Sequence, residues 1–268
     1  MVGPLGNIMK DLSLDDLEKL PGRRLGAGES FCFRCHPQIA CFNRCCRNLN
    51  LFLYPYDVVR LKGRLGMHSD AFLDRHVDVV LREGSHFPEV LLRMADNDQK
   101  TCPFLSPQGC EVYPDRPDTC RSFPLEQAVQ FDDSAGRHQT VYFFRPPQFC
   151  MGQHEDLGWT PEAWLKDQQA RGYQQMTIRW AGIRRRLLSD PWGAEGPTGP
   201  RAKMTFMASY NIDRFRDFVF HSSFLKRYRV APALLRKSRT DDVALLNLGL
   251  AWIERFLWSA PTAEIRPR

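Results

Sequence analysis

Five of the nine cysteines, Cys32, Cys35, Cys41, Cys45 and Cys46, fall within residues 32–46 of a 268-residue chain. The other four, Cys102, Cys110, Cys120 and Cys150, lie in segments rich in proline and glycine. Thiolate sulfur is a soft donor, so a site made of cysteines selects iron–sulfur clusters or zinc and excludes the hard cations that need oxygen ligands. The spacing narrows this further. A zinc ribbon shows two C-x2-C knuckles, and here only Cys32-Phe33-Arg34-Cys35 has that spacing. The radical-type C-x3-C-x2-C pattern is not completed, because Asn48 stands where the third cysteine after Cys41 and Cys45 would be, and no ferredoxin run is present. Side chains of adjacent residues are expected to diverge, so Cys45 and Cys46 suit a cubane several ångströms wide, or two separate centres, better than one small ion. The competing reading of the cysteines as small buried apolar residues does not account for their clustering.

The elements that must position these thiols are irregular. Proline and glycine fix tight backbone and suit neither helix nor strand interiors, so residues 31–50 and the segments around Cys102–Cys120 are expected to be loops that aim sulfur inward. A short acidic helix is expected at Leu12–Leu20. A second should run from Pro55 to Leu65 with Asp57 as a cap, and a third from a Ser69 cap. Residues 88–94 and 139–145 read as strands, and Thr160-Pro161 opens a helical region reaching Leu188. Pro191–Pro200, with three glycines and three prolines, reads as a linker; Lys203–Tyr210 reads as a strand. Asn211 starts a helix ending near His221, and Asp241 caps a final amphipathic helix bearing Leu245, Leu248, Trp252 and Phe256. The expected fold class is α+β: cysteine-rich loops with short helices and a small sheet, then a mainly helical C-terminal half. Residues 1–155 should form the metal-binding region and residues 156–268 a helical region packed on it.

Composition limits the function classes. Lys and Arg number 37 against 31 Asp and Glu, and no basic run with interleaved aromatics occurs, so no nucleic acid partner is expected. Val243–Trp258, the most apolar stretch, is broken by Asn247, Glu254 and Arg255, so no membrane span is expected. Asp11, Asp15, Asp16 and Glu18 stand where a signal peptide would be apolar, which points to a cytoplasmic, reducing location where clustered cysteines bind metal rather than pair. Gly26-Ala27-Gly28 lacks the third glycine of a dinucleotide loop. His36 and His154 are isolated histidines, expected to be ordinary surface or core residues.

The order of motifs carries a resemblance. Phe33-Arg34-Cys35, Cys41, Cys45-Cys46, Pro55-Tyr56-Asp57, Cys102-Pro103-Phe104-Leu105, Gly109-Cys110, Arg116-Pro117 and Cys120-Arg121-Ser122-Phe123-Pro124 resemble the YkgJ-type cysteine-cluster proteins, described as zinc- or iron-chelating. The Cys35–Cys46 opening and the Cys102–Leu105 segment are also distantly similar to the flagellin lysine N-methylases. The resemblance implies eight candidate ligands, Cys35, Cys41, Cys45, Cys46, Cys102, Cys110, Cys120 and Cys150, and leaves Cys32 outside. It implies an iron–sulfur cluster, [4Fe–4S], in one centre or two. Arg116 and Arg121 flank Cys120 and could offset the charge of such a cluster, hold a cofactor carboxylate, or brace the turn. Three functions follow: an iron–sulfur protein with a redox partner, a protein (lysine) methyltransferase using the cluster with S-adenosylmethionine on a protein substrate, and a zinc-binding interaction module.

Overall fold

The computed structural model describes residues 22–26, 28–132 and 137–268; the helix expected at Leu12–Leu20, and Ala27, lie outside them. In chain order the elements are β1 (Arg23–Leu25), β2 (Phe31–Cys32), α1 (Pro55–Arg64), α2 (Ser69–His76), β3 (Val77–Val80), β4 (Glu89–Leu92), β5 (Leu105–Ser106), β6 (Gly109–Cys110), α3 (Asp118–Ser122) and β7 (Leu125–Asp132). They continue with β8 (Arg137–Phe144), β9 (Gly158–Trp159), α4 (Pro161–Asp167), α5 (Arg171–Leu187), α6 (Pro200–Ser209), α7 (Ile212–His221), α8 (Phe224–Arg227), β10 (Tyr228–Val230), α9 (Pro232–Lys237), α10 (Asp242–Trp258) and β11 (Ile265–Pro267). The fold is α+β with a mainly helical C-terminal half. No described helix is long and apolar enough to cross a membrane.

Two compact units divide the chain, each from separated segments. The first takes the described residues through Phe52 together with Leu92–Ala181, and the second takes Leu53–Leu91 with Gly182–Arg268. In the first unit, β1, β8 and β7 form an antiparallel sheet in that order, with Leu25 opposite Tyr142 and Leu125 opposite Phe144. β2 pairs with β9 and β5 with β6. The core gathers Leu25, Phe31, Phe33, Leu125, Trp164, Leu165 and Ala170 around buried Cys150. Its rings meet edge to face, Phe33 against Trp164 at 5.4 Å and Trp159 against Trp164 at 5.3 Å. Thr160 caps α4 through a bond from the Ala163 N–H, as its place before Pro161 predicts.

In the second unit the helix caps expected at Asp57, Asn211 and Asp241 are present: Asp57 accepts the Tyr54 N–H, Asn211 that of Arg214, and Asp241 those of Val243 and Ala244. Ser69 is different. It begins α2 as a helical residue while its N–H and hydroxyl both bond Asp213. Lys203–Tyr210 is not a strand but belongs largely to α6: Pro200 opens it, and Ala202, Thr205, Ala208 and Ser209 are buried at helical spacing. The buried hydroxyls of Thr205 and Ser209 are satisfied by the carbonyls of Arg201 and Thr205 one turn back. α10 is buried around most of its circumference from Ala244 to Ile253 rather than along one stripe, and Trp252 packs among Phe215, Phe218, Phe224 and Phe256. Pro191–Pro200 is packed, not free: buried Trp192 stacks on Phe87 and donates to the His86 carbonyl. Gly249 lets α10 approach α6, because a Cβ there would overlap the Ala208 carbonyl oxygen.

An ion network ties α1, α7 and α10 together. Lys62, 5 % exposed, reaches Asp213 at 2.9 Å and Asp242 at 2.7 Å, and Arg216 pairs with Asp242. Burial alone would raise the Asp213 carboxyl, but the bonds from Lys62 and Ser69 hold it below the ordinary carboxylate range. Its stabilising effect is therefore fully present above about pH 4, the unfolded value, and is lost as pH falls through the lowered native one. Asp213→Asn should cost on the order of 2 kcal/mol at neutral pH and flatten the acid limb of a urea-unfolding series. Gly249→Ala should cost about 1–3 kcal/mol by overpacking, read as a lower urea midpoint at all pH values.

Candidate metal centre

Strand alternation sets the first sulfurs. Phe31 and Phe33 point into the core, so Cys32 between them faces solvent. The segment after β2 is pinned to the residues around Cys150: the Phe33 N–H donates to the Leu157 carbonyl at 2.9 Å, the Arg34 N–H to the Gly152 carbonyl at 3.0 Å, and the Trp159 indole N–H to the Phe33 carbonyl at 2.9 Å. Gly152 permits this approach, since a Cβ would stand 2.7 Å from the Arg34 carbonyl oxygen and 2.9 Å from the Phe33 ring. Cys35 is thereby brought beside Cys150. Successive turns from His36 to Cys46, with Asn43 at φ 60°, return the chain so that the Met151 N–H donates to Cys41 Sγ at 3.1 Å. Arg44 lies over the Phe149 ring at 5.0 Å on the same side.

A second set of backbone bonds gathers the other thiols. The Asn48 N–H donates to the Lys100 carbonyl and the Cys102 N–H to the Cys46 carbonyl, both at 2.8 Å, with an antiparallel bridge from Arg47 to Thr101 between them. The β5–β6 hairpin then sets Cys110 opposite Leu105. Backbone donors face several sulfurs: Phe104 N–H at Cys102, Val112 N–H at Cys110, and those of Gly152 and Gln153 at Cys150. An N–H aimed at sulfur contributes most when the sulfur is anionic, so these loops are shaped to hold thiolates.

The electrostatics identify one hub. Burial and then the neighbouring Cys45, Cys150 and Cys41 push the Cys35 thiol up to about 11, and burial and Cys41 and Cys45 push Cys150 to about 11. Burial, Cys110 and Cys45 likewise raise Cys102 to about 11, and burial raises Cys110. Cys45 is pushed up first by its hydrogen bond with Cys46 and then by burial, while Arg47 opposes the shift. Every other group named here thus has Cys45 among its neighbours. The expected divergence of Cys45 and Cys46 is corrected by that bond: the tight turn at Arg44–Cys46 brings the adjacent sulfurs into contact. Thiols that raise one another's pKa bind a cation with release of protons, so metal uptake here strengthens as pH rises.

Arg116 and Arg121 are both buried. Arg116 stacks on Tyr113 at 3.9 Å, donates to the Tyr113 carbonyl and to Gln168, and lies near Cys110 and Cys120. Arg121 donates to the carbonyls of Gln168 and Pro114 and lies over Tyr173. Their geometry is that of turn braces beside the thiols. His36 is engaged by Gln38 and Glu155. Among the described residues, no three His, Cys, Asp or Glu side chains are arranged as ligands to a single ion. The N–H donors at Cys102, Cys110 and Cys150 were not read from the sequence. For two of the three the signal available was a proline or glycine shortly after the cysteine, Pro103 after Cys102 and Gly152 after Cys150. Gly152→Ala should push the Cys150 loop off Arg34 and lower metal content several-fold at unchanged helicity, measured by metal analysis beside circular dichroism.

Residues 34–159 match the model of the CxxCxxCC family, described as a proposed zinc- or iron-chelating domain. Comparison with curated proteins and with solved structures gives no match. The matched span holds all eight candidate cysteines and leaves Cys32 outside, in agreement with the YkgJ-type resemblance of the motifs. The cysteine-bearing part of this chain accordingly carries the pattern of a zinc- or iron-chelating domain.

Proposed function

We propose that this protein is an iron–sulfur protein whose [4Fe–4S] cluster is held by Cys35, Cys41, Cys45 and Cys150. The observation that supports this reading is the backbone closure that sets the Cys35–Cys46 loop against the Cys150 segment, through the Arg34 N–H on the Gly152 carbonyl and the Met151 N–H on Cys41 Sγ, with Cys45 near both Cys35 and Cys150. The donor set fits: all four are sulfur, and N–H groups from Met151, Gly152 and Gln153 face Cys41 and Cys150. When bound, such a cluster supplies one-electron chemistry or senses oxidants. The chain's own residues set its potential through those N–H donors and through Arg47, which lies near Cys45. A redox partner protein in the reducing cytoplasm completes this reading.

Protein purified without oxygen should be brown and carry iron with acid-labile sulfide. Cys41→Ser or Cys45→Ser should remove most of that iron, while Cys32→Ser should retain it. Stoichiometric zinc without sulfide would overturn the reading in favour of a zinc module, and loss of metal from Cys32→Ser would overturn the ligand choice.

A further inference from the structure

We infer that the exposed face of the β10–β11 ribbon is a docking surface for an extended acidic segment of a partner protein, one with carboxylates at alternate residues. The face is built by register. Residues 222–240 carry six Lys or Arg and no Asp or Glu, and β10 within them pairs antiparallel with β11 so that Arg229 stands opposite Arg266. The ladder runs on past the strand ends, where the Arg268 N–H donates to the Arg227 carbonyl at 2.9 Å, so a second pair of arginines meets across the ribbon. Strand alternation turns Val230 and Ile265 inward, 5 % and 2 % exposed, and leaves Arg227, Arg229, Arg266 and Arg268 in solvent.

Like charges directly opposite each other weaken a ladder, and the fold does not offset this one. Among the described residues no ion pair, side-chain hydrogen bond or ring contact engages the four guanidinium groups. Arginines elsewhere in the same unit are paired, Arg214 with Asp70 and Arg216 with Asp242. Glu264, whose carbonyl accepts the Ala231 N–H one rung further on, is the one acid in either segment and leaves the face positive. A guanidinium presents a planar fork of N–H donors that grips a carboxylate through both oxygens. Arginines opposed at about 5.5 Å between Cα atoms can share one carboxylate, and successive pairs lie about 7 Å apart along the ribbon. That second spacing is also the distance between side chains i and i+2 of an extended peptide, so an acidic segment laid along the ribbon brings one carboxylate to each pair. Nucleic acid fits less well. Tyr228, the ribbon's own ring, lies on the inward side 5.0 Å from Phe224 and is not placed among the arginines to stack on a base. The ribbon belongs to the second unit, which carries none of the candidate metal ligands, so this inference stands apart from the proposed cluster.

The test titrates the full chain into a dye-labelled peptide in which glutamate alternates with threonine, and into one of the same composition with its glutamates in a single block, by fluorescence anisotropy. The alternating peptide should bind more tightly than the blocked one, and more tightly as salt falls. Arg229→Gln/Arg266→Gln should weaken it about tenfold, whereas Lys166→Gln/Lys203→Gln, the same loss of charge at exposed lysines outside the ribbon, should leave it nearly unchanged. The arginine variant should unfold at an unchanged or higher urea midpoint, since it relieves a like-charge pair. No binding, equal binding of the two peptides, or an equal effect of the two double variants overturns the inference. A lower urea midpoint in the arginine variant overturns it by showing that these side chains brace the fold. Tighter binding of single- or double-stranded DNA than of the alternating peptide at the same salt overturns it in favour of a nucleic acid backbone.

Discussion

Thiols gathered in a partly desolvated space would repel one another once ionised, and several contacts of the first unit oppose that repulsion. Burial and neighbouring sulfur both raise the thiols at Cys35, Cys102 and Cys150. Against this act the backbone N–H groups facing Cys41, Cys102, Cys110 and Cys150, and the guanidiniums of Arg47 and Arg116. Such donors are fixed dipoles whose orientation is set when the chain folds, so they offset charge at the sulfurs without having to reorganise.

The loops that carry the sulfurs have little regular structure, and their order comes from what lies beneath and between them. Phe31 and Phe33 anchor the first loop in an aromatic core, where Phe33 meets Phe123 and Trp164 edge to face. Cys150 is itself part of that core, so the last candidate ligand is placed by apolar packing. Gly152 then allows one backbone to lie against another, and the rigidity of the place follows from contact at the van der Waals limit. A metal centre in such a setting would add folding energy to segments that otherwise carry the entropy cost of irregular backbone.

The second unit is built on different terms. α10 is enclosed by helices, and charged groups beside it are paired: Lys62 with Asp213 and Asp242, and Arg216 with Asp242 and the carbonyls of Ser238 and Arg239. None of the eight candidate ligands lies in this unit, which holds Leu53–Leu91 and Gly182–Arg268.

Much of this was legible in the sequence. The chemistry of the site follows from residue type, since clustered sulfur donors restrict the metal whatever the fold, and helix starts at Pro55, Thr160, Asn211 and Asp241 follow from local capping that acts over three or four residues. What tertiary structure alone decided depends on long-range contact. Lys203–Tyr210 alternates like a strand, yet the chain buries it at helical spacing in α6. Val243–Trp258 reads as one apolar stripe with polar interruptions, yet packing on several sides encloses α10. The meeting of the Cys45 and Cys46 sulfurs depends on a single turn, and the pairing of Cys41 with Met151 and Cys46 with Cys102 on backbone register between distant segments. Spacing along the chain names donors, but only the return of the chain in space determines which sulfurs share a site.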